Sequence, residues 1–379
     1  MKKILFYTNH IDIESGGSTY SIISLMDELK ERGFDLKIIV NKRRKKEIKT
    51  TYPIIALNAS LGDWNRHLVL RKVINEENPD FVFGNMHTQN ITLSLTKGFG
   101  KRKVKSKCIA IVRSTGNYDI NKKFWRFPYR IYMKKIFENL DATIAVSEAV
   151  KKDLEKAYFL QENRVNVIYN PFNLKKIKEM SEEDIPKKER ILFEKHDVII
   201  NSGRFTEQKR QDLLIKTYAK VKERLPNTKL VILGSSGVAK NNKIELILKN
   251  LVKAYGLDNN VIFLGYKPNP HKYVKKSKLF VLTSKYEGLA RAIIESLAVG
   301  TPVVAFNSEE ADQTEIFGGN SEVIVPYPDT NMLADRIVEI LTNKEKYLNL
   351  KKQTYKIAKR FSTENSVQAY IKLIDEFSE

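Results

Sequence analysis

The sequence predicts two consecutive α/β domains, each a doubly wound parallel sheet with helices on both faces. Three observations carry this expectation. Short apolar runs of strand length recur along the chain and alternate with stretches of helical spacing. At 379 residues and 42% hydrophobic side chains, the chain exceeds one ordinary core and can bury two. The alternation breaks once, near Asn170-Pro171, and then begins again. Strands that alternate with helices pair in parallel, because each connection has to cross a face of the sheet.

Taken in order, Lys3 to Thr8 and Leu36 to Val40 are short buried strands, and Ser18 to Glu31 between them has helical spacing at Ile22, Leu25, Met26 and Leu29. Further strands are expected at Phe81 to Phe83, Cys108 to Val112, Ala142 to Val146 and Val165 to Ile168. The lysine- and glutamate-rich stretch Lys175 to Arg190 reads as solvated and marks the junction. A second series follows: Asp197 to Asn201, Leu230 to Leu233, Val261 to Phe263, Leu279 to Leu282, Pro302 to Ala305 and Val323 to Val325. Asn331 to Phe377 is helical and amphipathic.

Composition narrows the setting. One cysteine, Cys108, forms no staple within the chain, which fits a reducing cytoplasm. Behind Met1-Lys2-Lys3 the apolar run is too short for a secretion signal, and no run of about 18 apolar residues spans a bilayer. Membrane contact is therefore expected to be peripheral. The net charge of +21 is weighted to the front, where residues 1–170 carry 31 basic and 18 acidic side chains. It gathers at Lys42 to Lys46, Lys101 to Lys107 and Lys122 to Lys135; in the last, Phe124, Trp125, Phe127, Tyr129 and Tyr132 interleave with the cations. Aromatics that enter headgroups and cations that meet anionic lipid make Lys122–Lys135 a candidate membrane-docking segment, each base contributing on the order of 1 kcal/mol.

Two loops carry the candidate chemistry. Ser284-Lys285-Tyr286-Glu287-Gly288-Leu289-Ala290-Arg291 follows a strand and opens a helix, where ligands of open α/β sheets bind. Glu287 lies in the loop and Glu295 about two turns along, so both can address one crevice, and Gly288 lets backbone approach a ligand. Amides at the helix start suit a pyrophosphate, and carboxylates accept from hydroxyl-rich sugars. In Asn201-Ser202-Gly203-Arg204-Phe205-Thr206-Glu207-Gln208-Lys209, another strand runs into a loop bracketed by Arg204 and Lys209. A guanidinium and an ammonium there would stabilise a departing diphosphate without a metal. No Asp-X-Asp occurs, and the histidines and cysteine show no zinc spacing.

Together these stretches resemble the family 4 glycosyltransferases, a retaining family of the GT-B fold, in which two Rossmann-like domains face an interdomain cleft. The resemblance rests on the Gly-Arg-spacer-Lys segment, on Glu287 and Glu295 with seven residues between them, and on Leu233-Gly234-Ser235-Ser236-Gly237, Val261 to Tyr266, Asn269 to Tyr273 and Gly300 to Val304. It implies an acceptor-binding domain over 1–172, a nucleotide-sugar domain over 173–360 and a final helix, 361–379, returning to the first domain.

By the same resemblance, Arg204 and Lys209 hold the donor diphosphate, Glu287 the transferred sugar and Glu295 the ribose. Gly203, Gly234, Gly288, Leu289 and Ala290 line the donor, Gly265 and Tyr266 lie beside the base, and Gly16-Gly17 brings a loop to the phosphates. One departure stands out: where many members carry a histidine after the fourth strand, this chain has Arg113. Arg113 then joins the catalytic candidates as a contact for an anionic acceptor or phosphate, and His87, ending the preceding strand, is a second cleft candidate. The implied reaction moves a sugar, preferably from a UDP-sugar, to a glycan or lipid-linked acceptor of lipopolysaccharide or capsule type, with no metal and no cofactor.

Three other readings compete. Basic charge with aromatics fits a nucleic-acid binder, yet no binding module is recognisable and the carboxylate pair goes unused, so no nucleic acid is expected. A sugar-nucleotide epimerase of the same architecture would release product without an acceptor. A non-catalytic relative would not hydrolyse donor.

Overall fold

A computed structural model describes residues 1–11, 17–44, 47–59, 64–98, 104–114, 126–236, 243–307 and 312–378. The chain forms two compact units, Met1–Phe172 with Thr363–Glu379, and Asn173–Ser362.

In the first unit, seven strands form one parallel sheet: β1 (Lys3–Thr8), β2 (Asp35–Val40), β3 (Ile54–Ala56), β4 (Phe81–Asn85), β5 (Lys107–Val112), β6 (Ala142–Ala145) and β7 (Val165–Val167). Their order is β3-β2-β1-β4-β5-β6-β7. The central strands β1, β4 and β5 are buried along almost their whole length. That is why they appear in the sequence as unbroken apolar runs rather than alternating ones. The first unit also holds α1 (Gly17–Glu31), α2 (Arg66–Glu77), α3 (His87–Lys97), α4 (Arg126–Asn139) and α5 (Glu148–Tyr158). Ser147 caps α5, its hydroxyl accepting from the Val150 amide.

The second unit has a six-stranded parallel sheet of β8 (Asp197–Ser202), β9 (Thr228–Leu233), β10 (Val261–Gly265), β11 (Leu279–Leu282), β12 (Val303–Asn307) and β13 (Ile324–Pro326). Its order is β10-β9-β8-β11-β12-β13. The strand order therefore reverses between β8 and β11, and the loops leaving these two neighbours open side by side at the carboxyl edge. The helices are α6 (Leu174–Ser181), α7 (Lys187–Lys195), α8 (Gln211–Arg224), α9 (Lys243–Ala254), α10 (His271–Lys276), α11 (Arg291–Ala298), α12 (Thr330–Thr342) and α13 (Lys344–Lys359). The last, α14 (Thr363–Glu376), belongs to the first unit, where it packs on α1.

The predicted strands lie within two residues of their expected places. β3 was not foreseen, since three residues behind Pro53 are too few to display a period. The stretch Lys175 to Arg190 is largely exposed, as the solvated reading expects, yet it is not a loop: it contributes to α6 and α7 and is held to the second unit. There Glu189 accepts from Lys267 and from the Tyr273 hydroxyl, both at 2.6 Å, and Asn269 donates to the Met180 carbonyl at 2.7 Å. Burial alone would raise the Glu189 carboxyl; the bonds from Lys267 and Tyr273 outweigh it and hold the group below its usual range.

Candidate functional site

At the carboxyl edge of the second sheet, three neighbouring strands end in glycine or pass directly into it. The Gly203 amide, just beyond β8, donates to the Leu233 carbonyl at 3.0 Å, and the Gly234 amide, just beyond β9, donates to the Gly265 carbonyl at 2.9 Å. Phe205 donates to the Ser235 carbonyl at 3.0 Å, which ties the loop after β8 to the one after β9. Gly234 has φ +141°, and a Cβ added there would lie 1.9 Å from the Gly203 oxygen. Only glycine fits this contact.

The loop after β8 is stitched to the loop after β11. Lys285 donates its amide to the Gln208 carbonyl at 2.8 Å, and Gln208 returns Nε2 to the Tyr286 carbonyl at 2.8 Å. Thr283 Oγ1 donates to the Lys209 carbonyl at 3.0 Å. These backbone ties bring Lys209 Nζ to 2.6 Å from Glu287 Oε1, both side chains mostly buried. Two residues 78 positions apart thereby become a direct ion pair. Neither adjoining helix is capped by a side chain: α8 follows Arg210 and α11 follows Ala290. An ammonium and a carboxylate thus stand beside helix starts whose dipoles favour an anion.

Arg204 lies in the same loop, exposed, with its carbonyl accepting from Gln211 Nε2 at 3.0 Å. Gly288 is half-buried, and Leu289 and Ala290 are buried at the entry to α11. Glu295, one of the two glutamates of the motif, pairs with Arg291 at 2.9 Å. The structure therefore joins Glu287 to Lys209 and Glu295 to Arg291. Arg291 was missed, although its i,i+4 spacing to Glu295 was legible. Buried His271 faces the same pair: burial lowers its imidazole, with Glu295 pulling up and Arg291 down. Tyr266, expected beside a base, stands 60% exposed after β10.

In the first unit, Gly17 begins α1 and its carbonyl accepts from Ser21 Oγ at 2.8 Å, whereas Gly16 lies outside the described residues. Arg113 follows β5 and is held by neutral amides: its Nε donates to Asn85 Oδ1, and its Nη1 to Asn170 Oδ1. Asn85 ends β4 and is fully buried, with Nδ2 directed to Thr8 Oγ1 at 3.4 Å. The guanidinium is thereby fixed at the carboxyl edge of the sheet. His87 Nε2 is 2.8 Å from the Tyr129 hydroxyl, on α4. Asn85 was not foreseen as a site residue; Tyr129 had been noted only as an aromatic of the docking segment, and Asn170 only as the point where the strand pattern stops. Among the described residues, no three His, Cys, Asp or Glu side chains gather as metal ligands would, and no helix is long and apolar enough to cross a membrane.

Two family models divide the chain. The glycosyl transferases group 1 model matches residues 182–357, and the Glycosyltransferase Family 4 model matches residues 15–176. The chain belongs to the family 4 glycosyltransferases. As a family 4 glycosyltransferase it is 30% identical over 293 residues to an uncharacterized glycosyltransferase of Methanocaldococcus jannaschii, covering 76% of this chain and 66% of that one. It is 31% identical over 204 residues to N-acetylgalactosamine-N,N'-diacetylbacillosaminyl-diphospho-undecaprenol 4-alpha-N-acetylgalactosaminyltransferase of Campylobacter jejuni, covering 50% and 51%. The matches thus span between half and two thirds of these relatives. Among solved structures, Anabaena HepE in complex with UDP-glucose superimposes with a TM-score of 0.80 at 17% identity, covering 99% of this chain and 100% of that one. Sucrose-phosphate synthase from Thermosynechococcus elongatus gives 0.81 at 19%, covering 100% and 99%. The fold of this family 4 glycosyltransferase is GT-B, with two Rossmann-like parallel-sheet domains.

Proposed function

We propose that this protein transfers a hexosyl group from a nucleotide diphosphate sugar, a UDP-sugar, to a glycan or lipid-linked acceptor in cell-surface polysaccharide or glycoconjugate synthesis, with retention of configuration. The observation that carries the proposal is the Lys209–Glu287 pair, set beside two uncapped helix starts at the carboxyl edge of the second sheet. HepE, of the same fold, was solved with UDP and with UDP-glucose, and the Campylobacter relative is named for transfer onto a diphospho-undecaprenol-linked sugar.

In this mechanism the donor exchanges the resident ion pair. The diphosphate takes the Lys209 ammonium, and Glu287, released from it, accepts hydroxyls of the sugar. Arg204 adds a second cation as negative charge grows on the leaving diphosphate, and preorganised charge of this kind is worth most in the transition state. Glu295, aligned by Arg291, accepts from the ribose. Gly203, Gly234, Gly265 and Tyr266 shape the nucleotide side of the site. Arg113 and His87 serve the acceptor on the first unit. Fixed cations do the work of a divalent ion, so turnover should be insensitive to EDTA.

Nucleotide release across a panel of UDP- and GDP-sugars identifies the donor. With that donor, Lys209→Ala and Glu287→Ala should each lower kcat by roughly 10²-fold. Near-normal turnover in both variants removes this site from the mechanism.

The protein is further proposed to act at the cytoplasmic membrane face. Lys122, Lys123, Phe124 and Trp125 of the basic aromatic segment lie outside the described residues. In the described part, Phe127 on α4 is 65% exposed and its ring lies 6.4 Å from that of Phe159, also exposed. Arg130 stacks 4.0 Å over the Phe159 ring, and Lys152 and Lys156 are exposed on α5. Apolar rings ringed by cations suit anionic headgroups. Phosphatidylglycerol vesicles should sediment the wild-type protein but not a Phe127→Ser, Lys152→Glu, Lys156→Glu variant; equal sedimentation would rule out docking through this face.

A further inference from the structure

We propose that Arg210 is a positioning residue for Lys209: its guanidinium, clamped by Asp212 and Tyr327, holds the left-handed backbone turn that aims the Lys209 ammonium at the donor diphosphate. The inference rests on the donor-site reading above and adds to it a residue that does not touch the donor.

Arg210 has φ 49° and ψ 43°, a conformation disfavoured for any residue that carries a Cβ. It is the hinge between the loop and the helix, since its carbonyl accepts from the Leu213 amide at 3.0 Å at the start of α8. On the loop side, the Lys209 amide donates to the Thr206 carbonyl at 3.1 Å and the Lys209 carbonyl accepts from Thr283 Oγ1 at 3.0 Å. Lys209 is therefore fixed from one side by those bonds and from the other by the turn at Arg210.

A left-handed arginine persists only where surrounding contacts over-determine it. Here the fork of the guanidinium engages both oxygens of Asp212, Nε to Oδ1 and Nη2 to Oδ2, each at 2.9 Å. The third nitrogen, Nη1, donates to the Tyr327 hydroxyl, and the guanidinium carbon lies 5.9 Å from the centre of the Tyr327 ring. Tyr327 is itself anchored: its amide donates to the Asn307 carbonyl at 2.8 Å, and its ring meets Phe306 edge-on at 5.7 Å. The clamp thus ties the start of α8 to the ends of β12 and β13, across 117 residues of sequence. Burial would raise the Asp212 carboxyl, and the Arg210 bonds outweigh it and hold the carboxyl below its usual range.

The test is UDP binding, with GDP as second probe, by titration calorimetry on the full chain. Lys209→Ala and Arg210→Ala should each weaken binding by roughly tenfold, and the double variant should bind no more weakly than Lys209→Ala alone. Alanine removes the clamp and disfavours the left-handed turn, whereas Arg210→Gly accepts the turn without a clamp and should recover most of the wild-type affinity; a cooperative thermal transition verifies that each variant folds. Arg210→Lys keeps the charge but cannot engage Asp212 and Tyr327 at once, so it should behave as Arg210→Ala; Tyr327→Phe, losing one bond, should fall between it and the wild type. A guanidinium that itself touched the nucleotide would add its loss to that of Lys209, so additivity in the double variant overturns the proposal. Wild-type affinity in Arg210→Ala, or an Arg210→Gly variant as weak as Arg210→Ala, overturns it too, while leaving the donor site intact. Wild-type affinity in Lys209→Ala, or no nucleotide binding by the wild type, brings down the donor-site reading and this inference together.

Discussion

At the scale of single residues, the proposed donor site depends on contacts with no tolerance. Gly234 sits where a methyl would collide with the Gly203 oxygen, in a backbone conformation that side chains rarely adopt. Gly234→Ala should therefore cost on the order of 3 kcal/mol and weaken UDP binding, because the only relief is to push away the loop that carries Arg204 and Lys209. A wild-type denaturation midpoint would contradict this packing. The sequence marked Gly203, Gly234 and Gly265 as donor-lining positions without their mutual contacts. It likewise marked Lys209 and Glu287 without the 2.6 Å bond between them. Residue type and placement after a strand can be read locally, whereas a contact between loops requires knowing which strands are neighbours.

At the scale of elements, the C-terminal helix shows how packing assigns a segment to a domain. In α14, Val367, Tyr370, Leu373 and Ile374 are buried, and the Tyr370 ring meets Phe83 of β4 edge-on at 5.8 Å. Lys2 pairs with Asp375 at 3.0 Å, Lys107 lies 5.5 Å from the centre of the Phe377 ring, and the Thr363 amide donates to the Phe172 carbonyl at 3.1 Å. The helix completes a face of the first sheet. Tyr370→Ala should cost about 4 kcal/mol and lower the urea midpoint of the first unit; a change under 1 kcal/mol would show that this face closes without the ring. The amphipathic pattern of Asn331 to Phe377 was legible as helix, but its division into α12, α13 and α14 was not, because the breaks at Asn343 and Ser362 leave the apolar spacing nearly continuous. The lysine- and glutamate-rich stretch was legible as solvated but not as anchored: most of it stays exposed, while Glu189, Glu183 and Glu182 pair with Lys267, Lys272 and Lys275, remote in sequence.

At the scale of the whole molecule, buried phenols contribute to the alkaline limit. Burial pushes Tyr7, Tyr218 and Tyr370 each up to about 12, against 10.0 for a free phenol. The folded state keeps these protons more tightly than the unfolded chain. Their contribution is therefore complete below about pH 10 and is lost as the pH rises towards 12. The urea midpoint should hold up to that threshold and then fall; a midpoint independent of pH from 9 to 12 would exclude the effect. The sequence by itself determined that two parallel α/β units form, because buried central strands and amphipathic helices write their burial into local periodicity. It also determined which loops carry the cations and carboxylates, since those loops follow strands. Only the tertiary structure decided that Lys209 meets Glu287, that Arg291 holds Glu295, that Asn85 and Asn170 hold Arg113, and that Tyr327 reaches Arg210. Each of these pairings is set by strand order and loop geometry, which join positions too far apart for any local pattern to record.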